Sequence, residues 1–140
     1  MEKIDKQITC MAGEFLTAGK LFKKGFQVSL TFRNAKGIDL FAHNQKTGKI
    51  FNVQVKTSRK KNNFRELNGK EIRKETIYVF LILNEFENNE DYFIIKGSEM
   101  LQCVSKFFGS NYSNKNLPEK GTVNYRALGK YKDNWVVFDE

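Results

Sequence analysis

Between Gln7 and Lys24 the apolar residues Ile8, Met11, Phe15, Ala18 and Phe22 recur at intervals of three and four, the spacing of one helical face. Gly25 is expected to end this helix, because glycine accepts the left-handed conformation common just past a helix terminus. The period then changes to two. Phe26, Val28, Leu30 and Phe32 alternate with Gln27, Ser29 and Thr31, which predicts a strand with one face on a core. A polar break at Arg33 to Lys36 leads into two more strand-like runs, Gly37 to Ala42 and Ile50 to Lys56. The Asn44-Gln45-Lys46-Thr47-Gly48 stretch between them has turn chemistry, so the two runs read as a β-hairpin.

Residues 57–75 are polar and basic and predict at most a short helix near Glu66 to Glu75. Thr76 to Leu83 and Tyr92 to Lys96 predict buried strands on either side of an acidic turn. Ser98, with Met100, Leu101, Val104, Phe107 and Phe108, predicts a capped amphipathic helix. Ser110 to Lys120 reads as an exposed loop, and the aromatic-rich tail from Asn124 to Phe138 is expected to pack back on the core. The sum is one mixed α/β domain over residues 1–140, with helices against a sheet.

Composition narrows the function classes. Thirteen phenylalanines and a single proline argue for packed layers and against a disordered chain. The longest apolar run, Ile77 to Leu83, falls well short of the ~20 residues of a membrane-spanning helix, so no membrane partner is expected. The charged start Met1-Glu2-Lys3-Ile4-Asp5-Lys6 lacks the pattern of a secretory signal, and a cytoplasmic location is expected. Cys10 and Cys103 are far apart with no Cys or His partners, which suggests buried, reduced thiols and not a disulfide or zinc site. His43 is expected on the surface of the hairpin turn. Lys and Arg number 24 against 16 Asp and Glu, and the net +8 makes a polyanion the leading partner.

Polar residues at core-like positions mark the candidate chemistry. Asp39 interrupts the apolar run Ile38-Asp39-Leu40-Phe41, where a carboxylate is costly unless it is paired or bound to a metal. Gln54 and Lys56 alternate with Val53 and Val55 and so share the face opposite the valines. Pairing Asn44 with Lys49 in the hairpin sets Asp39 opposite Gln54, so Asp39, Gln54 and Lys56 converge on one patch. Glu14 borders the apolar stripe of the first helix and is placed to reach the same patch if that helix packs on the sheet. Two carboxylates, the Gln54 amide oxygen and a strand carbonyl, that of Val55, are hard oxygen donors of the kind Mg²⁺ or Mn²⁺ accepts. Lys56 could orient a water or stabilise charge developing at phosphorus.

The order of helical Glu14, then Gly37-Ile38-Asp39, then Gln54-Val55-Lys56-Thr57 resembles the PD-(D/E)XK nuclease superfamily, in a Gln-x-Lys variant. The resemblance spans about Gly13 to Lys61. It implies a restriction-endonuclease-like core, α-β-β-β-α-β, with a mixed central sheet flanked by helices. It also implies a Mg²⁺- or Mn²⁺-dependent endonuclease acting on DNA. Asp39 would be a metal ligand, Gln54 would stand at the second acidic position, Lys56 would assist attack on the phosphodiester, and Glu14 would support the metal. Isoleucine replaces the usual proline before the aspartate, and glutamine replaces the usual Glu or Asp; the latter removes one negative charge from the site. Small nucleases of this fold often act as homodimers.

Between Lys56 and Lys74 eight basic residues face two acidic ones, which accounts for +6 of the net +8. Lys36, Arg59, Lys60, Lys61 and Arg65 are the candidate phosphate contacts, because cations beside a phosphodiester site are placed to bind the nucleic-acid backbone. The alternative reading is a catalytically inactive nucleic-acid-binding module on the same fold, with Gln54 the trace of a lost metal site. A third reading is a protein-interaction domain for which the cluster Arg59 to Lys61 would be dispensable.

Overall fold

A computed structural model describes residues 4–31 and 37–140. Helix α1 (Lys6–Lys23) opens the chain, and the Asp5 carboxylate caps it by accepting from the Gln7 amide at 2.7 Å. Then come β1 (Gln27–Leu30), β2 (Leu40–His43) and β3 (Ile50–Ser58), a short β4 (Phe64–Leu67), a 3₁₀ turn at Gly69–Glu71, and the buried strands β5 (Thr76–Ile82) and β6 (Asp91–Lys96). Helices α2 (Gly97–Gln102) and α3 (Val104–Phe108), strand β7 (Gly121–Val123) and two 3₁₀ segments, Tyr125–Tyr131 and Trp135–Asp139, complete it.

The five-stranded main sheet runs β1-β2-β3-β5-β6; β3 and β5 are parallel and the other neighbours antiparallel. Its two faces explain the unbroken apolarity of β5. One face packs Val53, Val79 and Ile94 against Ala18 and Leu21 of α1 and Phe138 of the tail. The other packs Tyr78, Phe80 and Ile95 against Met100, Phe107 and Leu128. A strand covered on both sides has no polar face to display. The aromatics Tyr78, Phe80, Tyr92, Phe93, Phe107 and Phe108 are core, and the tail returns to the sheet through Leu128, Tyr131, Val137 and Phe138.

Several expectations need correction. The buried face of α1 is Gly13, Thr17, Ala18 and Leu21, whereas Ile8, Met11, Phe15 and Phe22 are exposed. Small residues win because they let the helix lie close on the sheet. The short helix expected at Glu66 to Glu75 is instead β4, paired with β7, followed by the 3₁₀ turn. Glu66 takes a left-handed φ of 61°, which a helix could not contain. The single helix expected after Ser98 is two, broken at Cys103, and Lys96 occupies the N-cap position without a side-chain bond. Cys10 and Cys103 are both exposed. His43 ends β2, half-buried, and does not lie in the turn. Phe32 and the break at Arg33 to Lys36 lie outside the described residues.

Candidate active site at the end of β2

Strand β3 outruns β2. The β2–β3 ladder stops at Leu40 opposite Val53, while β3 goes on pairing with β5 as far as Ser58 opposite Ile82. Among the described residues no strand flanks β3 beyond Val53 on that side, which leaves a notch beside the candidate residues of β3. The register matches the hairpin expectation, with Asn44 donating to the Lys49 carbonyl at 2.9 Å and Asp39 next in line after Leu40.

Asp39 stands one residue before β2. Its amide donates to the Val53 carbonyl at 2.8 Å, and its carboxylate accepts the Val55 amide at 2.7 Å. The side chain thus takes the place of a strand carbonyl where the ladder has run out. Gln54 and Lys56 are half-buried on the β3 face opposite Val53 and Val55. The Gln54 amide oxygen lies against Gly37, 3.9 Å from where a Cβ would stand, and Lys56 Nζ donates to the Glu66 carbonyl at 3.4 Å.

Glu14 comes from the other face of the sheet. It reaches the notch because Gly13 is seated directly on Thr57 of β3, where any Cβ would collide with the threonine side chain. Burial pushes the Glu14 carboxyl up to about 7, and the nearby Asp39 carboxylate adds to the effect. Burial also raises Asp39, against the opposing pull of the Val55 amide and the Lys56 ammonium. Cys10, one turn before Glu14 and exposed at its outer side, has its thiol raised chiefly by partial burial of the sulfur and then by Glu14, with Lys56, Lys6 and Asp39 also felt. Cys10, Glu14, Asp39 and Lys56 therefore share one electrostatic neighbourhood.

Two half-buried carboxylates, of which Asp39 raises the proton affinity of Glu14, make a site suited to a cation. Among the described residues no group of three or more His, Cys, Asp or Glu is arranged to hold a metal. The available donors are the two carboxylates, the Gln54 amide oxygen and the Val55 carbonyl, and hard oxygen donors fit Mg²⁺ or Mn²⁺.

The basic candidates divide. Arg65 is exposed in an open groove of about 490 Å³ beside the notch, with Lys6, Thr57, Ser58, Asn62, Asn63 and Glu66. Lys60 and Lys61 are exposed at a second depression shared with Glu85 and Asp91. Arg59 is half-buried, and its Nε donates to Thr9 Oγ1 at 2.9 Å, which ties the end of β3 to the start of α1. Lys36 lies outside the described residues. Residue-by-residue reading missed Lys6 and Cys10, which the i, i+4, i+8 line ending at Glu14 would have found. Lys70 and Arg73, members of the basic segment but not among the named phosphate candidates, border a depression with Gly37.

This architecture is the restriction-endonuclease-like nuclease fold. The bacterial homing endonuclease I-Ssp6803I superposes with a TM-score of 0.62 at 14% identity, over 97% of this chain and 92% of that one. The Holliday junction resolvase Hjc of the archaeal hyperthermophile Archaeoglobus fulgidus superposes with a TM-score of 0.53 at 8% identity, over 86% and 88%. No protein-family model and no curated protein matches the sequence. Among the described residues no helix is long and apolar enough to cross a membrane.

Proposed function

We propose that the chain is a divalent-metal-dependent endonuclease that hydrolyses DNA phosphodiester bonds in the notch beside β3. The reading rests on the electrostatic proximity of Glu14, Asp39 and Lys56, from three separate elements, beside an open strand edge of a nuclease fold, with Gln54 on the same β3 face as Lys56. Asp39, Glu14, the Gln54 amide oxygen and the Val55 carbonyl would hold Mg²⁺ or Mn²⁺. The bound cation would supply charge neutralisation at the phosphate and acidify the attacking water. Lys56, steadied by the Glu66 carbonyl, stabilises negative charge growing on the phosphate oxygens. The Val55 amide fixes the Asp39 carboxylate before substrate arrives. Lys60, Lys61 and Arg65 bind flanking phosphates. Cutting both strands of a duplex would call for a second copy of the chain.

The test is cleavage of supercoiled plasmid and branched DNA with Mg²⁺, Mn²⁺ or EDTA. Metal-dependent nicking is expected, and it should disappear in Asp39→Ala and Lys56→Ala proteins whose circular dichroism matches the parent. Undiminished cleavage by both variants would refute the assignment.

A non-cleaving DNA-binding module is the second reading, favoured by the neutral Gln54, which leaves only two carboxylates in the notch. Calorimetric titration with Mn²⁺ separates the two. A nuclease binds the ion in a manner that Asp39→Ala abolishes, and an inert module shows no such binding.

A further inference from the structure

The apolar stripe of α1 that does not enter the core has its own pattern. Ile8, Met11, Phe15, Ala18 and Phe22 follow one another at alternating steps of three and four, the a/d seam of a coiled coil, and Ile4 stands just before the Asp5 cap. Ala18 is covered by the chain's own core, but Ile4 is 48% exposed, Ile8 59%, Met11 36%, Phe15 58% and Phe22 53%. Scattered exposed apolar residues need no explanation, whereas a row of them along two heptads of one helix does.

From this seam we infer that α1 is a self-association surface and that its occupant is the α1 helix of a second copy of the chain. Area and charge both favour that partner. At roughly 180 Å² for a fully exposed large side chain, the five residues offer about 450 Å² of apolar surface. A standard interface buries about 800 Å² per partner, roughly two-thirds of it apolar in homodimers, so one helix face nearly supplies the apolar share. The charge pattern removes the obstacle to pairing two chains of net +8. Lys6, Lys20, Lys23 and Lys24 all fall on heptad positions away from the seam. Ala12 and Gly19, which flank the seam toward the solvent side, are uncharged and small enough for two helices to approach closely, and Asp5 caps the helix ahead of them. A flank lined with lysines along its length would have pointed to an anionic lipid or nucleic acid, and here only Lys23, one turn past Gly19, approaches it. The inference stands whether or not the notch cleaves DNA.

Light scattering coupled to size exclusion and sedimentation velocity, on the full chain from about 1 to 200 µM, tests it. The parent should have twice the chain mass, dissociating on dilution. Ile8→Glu/Phe15→Glu, at two positions outside the core, should be monomeric with unchanged circular dichroism and a dissociation constant at least 100-fold weaker. Asp39→Ala should stay dimeric, which separates this result from the fate of the nuclease reading. A parent that is monomeric at 200 µM, a dimer that survives the double substitution, or a monomer that binds neutral phosphatidylcholine vesicles through this face would each overturn the inference.

Discussion

The Val55 amide donates to the Asp39 carboxylate at 2.7 Å across the point where β2 stops, so one carboxylate both closes the sheet and faces the notch. The two roles separate by substitution. Asp39→Ala leaves a part-buried amide without a partner, which should cost about 1–3 kcal/mol, whereas Asp39→Asn keeps an acceptor in place and most of that stability. Both should lose DNA cleavage by at least 100-fold. Urea denaturation beside a nicking assay checks the pair; equal stability of the two variants would show that the bond carries little weight.

The raised Glu14 carboxyl sets a pH dependence. Its proton is held more tightly in the fold, up to about 7, than in the unfolded chain, near 4.5. Its contribution to stability is therefore fully present below about pH 4.5 and is lost as pH rises through about 7. Metal-free protein should show this decline in melting temperature over that window, and Glu14→Gln should flatten it. Mn²⁺ should raise the melting temperature more at pH 8 than at pH 5, because protons and the cation compete for the same oxygens.

Gly13 against Thr57 governs how closely α1 lies on β3. Gly13→Ala should destabilise by about 1–3 kcal/mol despite alanine's better helix propensity, because the methyl has no space. Adding Thr57→Ala should recover part of the loss. A neutral or stabilising Gly13→Ala, measured by urea denaturation, would show that helix and strand separate without cost.

Lys60 and Lys61 are exposed and make no hydrogen bond from their side chains among the described residues. If each neutralises one phosphate, Lys60→Ala/Lys61→Ala should weaken DNA binding and lower the slope of log K against log salt by about 2. Fluorescence anisotropy at four salt concentrations reads the slope, and an unchanged slope places the DNA elsewhere.

The hairpin register was legible because a turn of known chemistry and a period-two pattern leave few alternatives, and it set Asp39 opposite Gln54. The α1 face was misread for a physical reason. Hydrophobicity ranks Phe15 above Gly13, but close packing on a strand rewards the smaller residue, so the stripe that looked like core is the one left outside. Strands β4 and β7, of four and three residues, are too short to show a period, and the left-handed Glu66 sits inside the first. The approach of Glu14 to Asp39 was only a conditional expectation, since it depends on where a helix crosses a sheet. Cys10, expected as a reduced core thiol, stands exposed beside the notch, one turn before Glu14 on the same line of the helix.

The stretch of β3 beyond Val53 has a further consequence, for solubility. A strand margin with unpaired amides and carbonyls is a template on which another chain can add a strand, and proteins blunt such margins with charge. Here Lys56 and Lys60 stand on that stretch and just past it, so two such margins, with no flanking strand among the described residues, would bring like charges together. The cations proposed to work on phosphate also guard the chain against cross-β aggregation. Replacing them to silence an activity would remove that guard as well.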